Sequence, residues 1–339
     1  MVPIIDLHCD TVMHIYYDAL QKKGADAAHI RSNMLHISLE NMKKAGYMGQ
    51  AFAMFVDKAA YPKYAADPFD YLVAYSECMD REIAANGDLI RYALTGTEME
   101  QNYRAGLLSA LKTAEEGLPY HGDVARLQKA YDMGVRMSTL TWNYENELGY
   151  PNPDGPKDRY DTENGLKEAG FRLVEAMEEL GMIIDISHLN DAGIDDVFRT
   201  VKPSTPVIAS HSNPRGICRH KRNLSDAMLR QIADHGGVAG LNFCPFFLTE
   251  KDWGAACPED CESRIEDMLR CLDYVRRHGG IDILALGSDF DGIKGKLEMD
   301  SCAKMQMLMD AMSRGGFTDD EIEKVMYRNA LRVFKEVLG

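Results

Sequence analysis

The sequence predicts an α/β fold, a (β/α)8 TIM-type barrel in a single domain spanning residues 1–339. Three observations predict it. Eight short apolar runs recur along the whole chain with amphipathic stretches between them, the rhythm of alternating strands and helices. No linker, fixed-period repeat or low-complexity tract divides them. No GxGxxG follows the first run, which disfavours the doubly wound dinucleotide-binding alternative. With 45% hydrophobic and 27% charged residues the chain is neither disordered nor fibrous.

In chain order the runs cover 3–8, 46–56, 106–114, 134–141, 181–188, 206–211, 237–243 and 281–287. Each is short and rich in Ile, Val, Leu, Ala or Met, as parallel strands covered on both faces are. Among the amphipathic stretches, 123–133 opens on the carboxylate cap Asp123 and stops before Gly134. The stretch 225–235 opens on Ser225 and stops at Gly236. The last helix opens on Thr318-Asp319-Asp320-Glu321, a capping box, and runs toward Leu338. Two segments are too long for ordinary connections: 143–165 after the fourth run and 244–263 after the seventh. Segments of that kind are lids or binding loops. Both fall on the strand-to-helix side, the catalytic face of a barrel.

The formal net charge is −15. Such a chain is poorly suited to phosphate backbones or anionic lipid, so neither nucleic acid nor membrane is an expected partner. No stretch is long and apolar enough to span a bilayer, and the first residues lack the basic and apolar regions of a signal peptide. A cytoplasmic protein with reduced thiols is therefore expected. Cys257 and Cys261 have no second Cys/His pair at finger spacing and read as loop thiols. The sequence is compatible with a homodimer.

The chemistry gathers at the ends of the runs. The first ends Asp6-Leu7-His8-Cys9-Asp10. Side chains two apart on a strand share a face, so His8 and Asp10 can serve one metal while Cys9 turns to the core. A lone His-x-Asp is also a common surface turn. Two further runs end in His188 and His211, which is harder to attribute to chance. His14, His29, His36 and His121 lie in helical or loop contexts without an evident partner. Glu115 and Glu116 follow the third run, and either could bridge two cations. The eighth ends Gly287-Ser288-Asp289-Phe290-Asp291-Gly292, where Asp291 reads as a turn residue that binds backbone amides. Imidazole and carboxylate donors in this mix suit Zn2+, with Mn2+, Co2+ or Fe2+ as substitutes.

The ordered set HxD, a Glu element, IDxSH, SHS with a later RN, and GSDFDG resembles the renal-type (membrane) dipeptidase family, peptidase family M19, over essentially the whole chain. The resemblance implies a (β/α)8 metallohydrolase with two Zn2+, cleaving dipeptides by attack of a metal-bridged hydroxide and tolerating a C-terminal D-residue. It implies His8 and Asp10 on one zinc, His188 and His211 on the other, and Glu115 between them. Glu115 is preferred to Glu116 by its distance to Gly134-Val135-Arg136. It further implies Arg222 on the substrate carboxylate and Asp289 as the catalytic carboxylate. Two departures stand out. Leu140-Thr141-Trp142 replaces a Leu-Thr-His whose His contacts substrate, which leaves Trp142, Asn143 and Tyr144 as substrate-binding candidates. Glu115-Glu116 replaces Glu-Gly. The alternatives are an amidohydrolase-like barrel acting on a cyclic amide, ester or amine, and a non-catalytic homologue that keeps the metals. The first usually begins HxH and bridges with a carboxylated lysine, whereas this chain has HxD and a glutamate at the bridge position.

Overall fold

Eight parallel strands stand in a ring, one for each apolar run. They are β1 (Ile4–Cys9), β2 (Tyr47–Phe55), β3 (Leu108–Glu115) and β4 (Val135–Thr139). β5 (Ile183–Asp185), β6 (Val207–Ile208), β7 (Ala239–Leu241) and β8 (Leu284–Leu286) complete it. A computed structural model describes residues 2–22, 28–153, 156–251, 253–255 and 257–339. The strands neighbour one another in the order β6-β5-β4-β3-β2-β1-β8-β7. The seam between β6 and β7 closes through the parallel bridge Ala209–Ala239, with Ala209 N donating to Val238 O (2.9 Å) and Gly240 N to Ala209 O (2.8 Å). The fold is thus the expected (β/α)8 barrel.

Four strands are shorter than the runs that announced them, because the runs 134–141, 181–188, 206–211 and 237–243 continue past the ladder into the barrel mouth. The eighth run begins as a 3-10 turn, Ile281–Ile283. Two features carried no sequence signal. A short strand, Ile90–Tyr92, extends the sheet beside β3, and Glu262–Ser263, at the end of the second long segment, pairs with Lys296–Leu297 beyond β8. Residues 154, 155, 252 and 256 of the two long segments lie outside the described residues.

The helices follow their caps. Helix Val124–Asp132 begins where Asp123 accepts the Ala125 amide, and helix Asp226–Asp234 where Ser225 accepts that of Met228. The last stretch is not one helix. A capping box at Thr318 starts Asp319–Glu323, a π turn spans Lys324–Arg328, and a helix runs Asn329–Leu338. The widened turn ends at Asn329, whose amide donates to the carbonyls of Ile281 and Leu284, both at 2.8 Å. Leu331 and Phe334 of this helix meet Ile5, Leu7, Met48, Leu111, Met137 and Ile183 in one buried cluster that fills the barrel below the mouth. A second cluster packs the helices onto the strands. Apolar burial at the foot leaves the mouth free for polar groups.

Candidate metal centre and substrate cavity

At the mouth, β1 carries a register shift between Asp6 and Cys9, an irregularity of the kind that re-aims side chains. His8 and Asp10 converge there, Nε2 to Oδ2 at 3.4 Å, while Cys9 is buried in the outer core. Glu115, the last residue of β3, divides its oxygens. Oε2 is 3.5 Å from His8 Nε2, and Oε1 is 3.0 Å from His188 Nε2 and 3.8 Å from His211 Nε2. Asp289 Oδ1 stands 4.0 Å from His8 Nε2. The ligand atoms of His8, Glu115 and His211 lie within 4.8 Å of one another, as do those of His8, Asp10 and Asp289.

Glu116 does not join this group. Its carboxylate accepts the amides of Leu118 (2.7 Å) and Trp142 (2.6 Å) and the Asn146 side chain. Asp291 braces its turn, accepting Thr11 Oγ1 (2.6 Å) and the His36 amide (2.7 Å). His14 and His36, read as unpartnered, both grip this turn: His14 Nε2 meets Asp291 O at 2.7 Å, and His36 Nδ1 accepts the Asp291 amide at 3.0 Å.

Supporting groups that the sequence reading missed hold the mouth in shape. Asp6 accepts Ser288 N and Oγ, and Asp185 accepts Ser187 N, Ser210 N and Ser210 Oγ. These bonds pin strand ends beside two residues in left-handed backbone, His188 (φ 72°) and Asp289 (φ 60°). Non-glycine residues persist there only when their surroundings over-determine them. Asn242 donates to Asp289 Oδ2 at 2.9 Å and so orients that carboxylate. The only advance signal for these residues was a polar side chain inside an apolar run.

The donor set fits cations. His188 Nδ1 donates to Asn143 Oδ1 (2.9 Å). His211 Nδ1 donates to Ser210 Oγ (2.7 Å), whose own proton goes to Asp185. Both Nε2 atoms therefore carry lone pairs, and they face each other at 2.9 Å, an arrangement a cation relieves. His8 Nε2 is buried without a hydrogen-bond partner. The electrostatics agree. Burial pushes His188 down to about 3, helped by Arg222, and holds His211 well below its ordinary value. Burial and the Glu115 charge raise Asp10. Burial, with Asp10 and Glu115, raises Asp289 to about 8 against the pull of His8. Glu115 is lowered despite its burial, because His8 and His188 surround it. His8 is raised because Glu115 and Asp10 outweigh its own burial. A buried excess of carboxylate is what divalent ions neutralise.

A cavity of about 300 Å3 opens onto this cluster, lined by Asp10, Met13, Phe55, Glu115, Trp142, Asn143, His188, Arg222, Cys244, Phe246, Phe247 and Asp289 among others. Arg222 is half-buried as a residue, but its Nε and Nη2 are buried without a hydrogen-bond partner, and Nη1 stands 3.5 Å from Ser212 Oγ. Asp226, the neighbouring acid that could have braced it, is taken by Tyr274 (2.8 Å) and His278 (3.2 Å). Trp142 lines the cavity with its ring 4.8 Å from that of Phe55. Asn143 faces the same space, its side-chain oxygen committed to His188. Tyr144 is turned elsewhere: its hydroxyl donates to Val56 O and accepts the Lys58 amide, both at 2.9 Å.

A parallel (β/α)8 barrel with histidines and carboxylates converging at the C-terminal ends of its strands is the build of a metal-dependent hydrolase. The chain belongs to the membrane dipeptidase family, peptidase family M19, whose model matches residues 1–338. It is 32% identical over 271 residues to an uncharacterised protein of Klebsiella pneumoniae from the pqqA 5' region, covering 80% of this chain and 97% of that one. It is 28% identical to dipeptidase tcpJ of Claviceps purpurea, over 77% of this chain and 58% of that one. Among solved structures, dipeptidase AC, an M19 metallopeptidase, superposes with a TM-score of 0.84 at 27% identity, covering 100% of this chain and 99% of that one. A Rhodobacter sphaeroides metallopeptidase, solved with a phosphinate mimic of L-Ala-D-Ala, gives 0.84 at 26%, covering 99% of each.

Proposed function

We propose that this chain is a binuclear zinc dipeptidase acting in the cytoplasm on free dipeptides, including those ending in a D-residue. The observation that carries the reading is Arg222. A guanidinium whose Nε and Nη2 are buried and unpartnered, in the same cavity as the histidine–carboxylate cluster, suits a carboxylate fixed close to the reacting bond. Only a very short peptide brings its C-terminus there. The likeness to the Rhodobacter enzyme solved with an L-Ala-D-Ala mimic supports a D-residue at that position. Eight free cysteines support a reducing compartment.

His8 and Asp10 would hold one ion and His188 and His211 the other, with Glu115 shared. Zinc suits these donors, and Mn2+, Co2+ or Fe2+ would substitute. When bound, such ions polarise a carbonyl and acidify water. Asn143 and Ser210 keep both imidazoles in the ligating tautomer. Asp289, steadied by Asn242, takes the proton from the attacking water and returns it to the leaving amine.

The test is release of free amino acids from L,L and L,D dipeptides by metal-loaded protein, together with elemental analysis. Turnover with about two divalent ions per chain is expected. No release, or only trace metal, would end the reading. Asp289→Asn should keep its metal and lose kcat by about 10²- to 10⁴-fold. Near-normal turnover would move the proton carrier elsewhere.

A further inference from the structure

Glu116 sits where its residue type should not. Its φ is +96°, backbone that suits glycine because a Cβ crowds the neighbouring carbonyl there. Its side chain is fully buried next to Glu115 yet turned away from the histidines. Three N–H donors share its two oxygens. Leu118 N and Asn146 Nδ2 reach Oε1, and Trp142 N reaches Oε2. Asn146 in turn holds Leu140 O (2.8 Å), Leu148 N (2.7 Å) and Gly149 N (3.2 Å). One carboxylate therefore anchors the whole bend that follows β4. The outward product of that bend is Trp142, set against Phe55 on one side and 5.8 Å from the His188 ring on the other.

The direction of this wall follows from the ring of strands. Arg222 follows β6 and Phe55 ends β2, four places apart in a ring of eight and so across the mouth from each other. A dipeptide with its carboxylate on Arg222 and its scissile carbonyl over the histidine–carboxylate cluster points its N-terminal side chain toward Phe55 and Trp142. Met13 lines the same space. Phe55, Trp142 and Met13 offer an apolar surface without a charge.

We propose that Glu116 is a positioning residue that fixes Trp142 against Phe55 as an apolar wall opposite Arg222, so that the site selects dipeptides with an apolar N-terminal side chain. The proposal rests on the dipeptidase reading and adds its substrate class.

The experiment compares kcat/KM for Phe-Ala and Leu-Ala with that for Gly-Ala and Ser-Ala, in wild type, Glu116→Gly, Glu116→Gln and Phe55→Ala, each with its metal content measured. Glycine satisfies the φ and removes the brace, so Glu116→Gly is the variant safest for folding. Glutamine has one acceptor oxygen, so either flip sets its NH2 against a donor. Wild type should favour the apolar substrates by at least about tenfold, the usual effect of a hydrophobic pocket on one side chain. All three variants should reduce that ratio severalfold, with metal content unchanged. A second readout needs no activity. In a Trp253→Phe background Trp142 is the sole tryptophan. Its emission should shift to longer wavelength and become more quenchable by acrylamide in Glu116→Gly. Hydrolysis without preference overturns the wall. A preference and an emission unchanged by the Glu116 variants overturn the brace. No hydrolysis of any dipeptide by metal-loaded protein rejects the dipeptidase reading, and the wall with it.

Discussion

Two adjacent glutamates show how far a single side chain's role depends on its backbone. Glu115 ends its strand and faces three histidines, whereas the left-handed turn at Glu116 sends the next carboxylate into the loop amides. Nothing in the dipeptide Glu-Glu distinguishes them, and the resemblance alone singled out the first. Arg222 was legible only through the resemblance, which implied it on the substrate carboxylate. Its unmatched Nε and Nη2, and the commitment of Asp226 to Tyr274 and His278, needed the folded chain. A guanidinium offers a carboxylate two parallel donors, while an ammonium is a single mobile charge. Arg222→Lys should therefore lower kcat/KM for free dipeptides by about 10- to 150-fold, the worth of one charge-assisted bond. Dipeptide amides, lacking the charge, should lose far less. Equal losses on both substrate types would remove Arg222 from carboxylate binding.

At the level of elements, strands were the most legible part. A parallel strand buried on both faces must be apolar throughout, so all eight appear as runs. Ile90–Tyr92 escaped because its residues alternate in exposure, and the Glu262–Ser263 pairing because two polar residues make no pattern. The break in the last helix escaped because an α and a π turn accept the same amphipathic sequence. Metal-ligand candidates were legible since they close apolar runs. Asp6, Asp185, Ser210 and Ser288 were not, because their partners come from other strands. The turn after β8 supplies a test at this scale. A Cβ on Gly292 would lie 2.1 Å from Asp10 Oδ2 and 2.5 Å from Asp289 Oδ1. Its φ lies outside the left-handed region, so alanine suits the backbone and strikes only these carboxylates. Overpacking of this kind costs about 1–3 kcal/mol. Gly292→Ala should weaken metal affinity by roughly 5- to 150-fold with an unchanged circular dichroism spectrum. Unaltered affinity in a metal titration would show that Asp10 and Asp289 have room to spare.

For the whole molecule, the mouth is a reservoir of protons that metal displaces. Burial raises Asp289 to about 8 and Glu116 to about 7, from unfolded values of 3.8 and 4.5. A raised carboxyl pKa gives stability that is complete below the unfolded value and is lost as pH climbs through the folded one. His188 and His211, depressed from 6.5, contribute fully only above that pH and lose their contribution as it falls. From about pH 6.5 to 8.5 the raised carboxyls release their protons, the raised His8 loses its contribution in the same direction as pH climbs, and the metal-free protein should lose stability. Cations bound to the cluster take over the proton's role at Asp289, while Glu116, outside the cluster, titrates alike in both forms. The gap in Tm between metal-loaded and metal-free protein should therefore widen from pH 6.5 to 8.5, and a narrowing gap would contradict this account. The seating of β1 beside β8 has a temporal consequence. The first ligand strand pairs with the last, and the Asp289 amide donates to the His8 carbonyl at 3.1 Å. On a ribosome that adds roughly 5–20 residues per second, β1 waits about 14–55 s for its closing strand. Through that interval β1 presents a bare edge, and such edges recruit other chains. All five proposed ligands are made soon after β6, yet the edge of β1 that bears two of them stays bare until β8 docks.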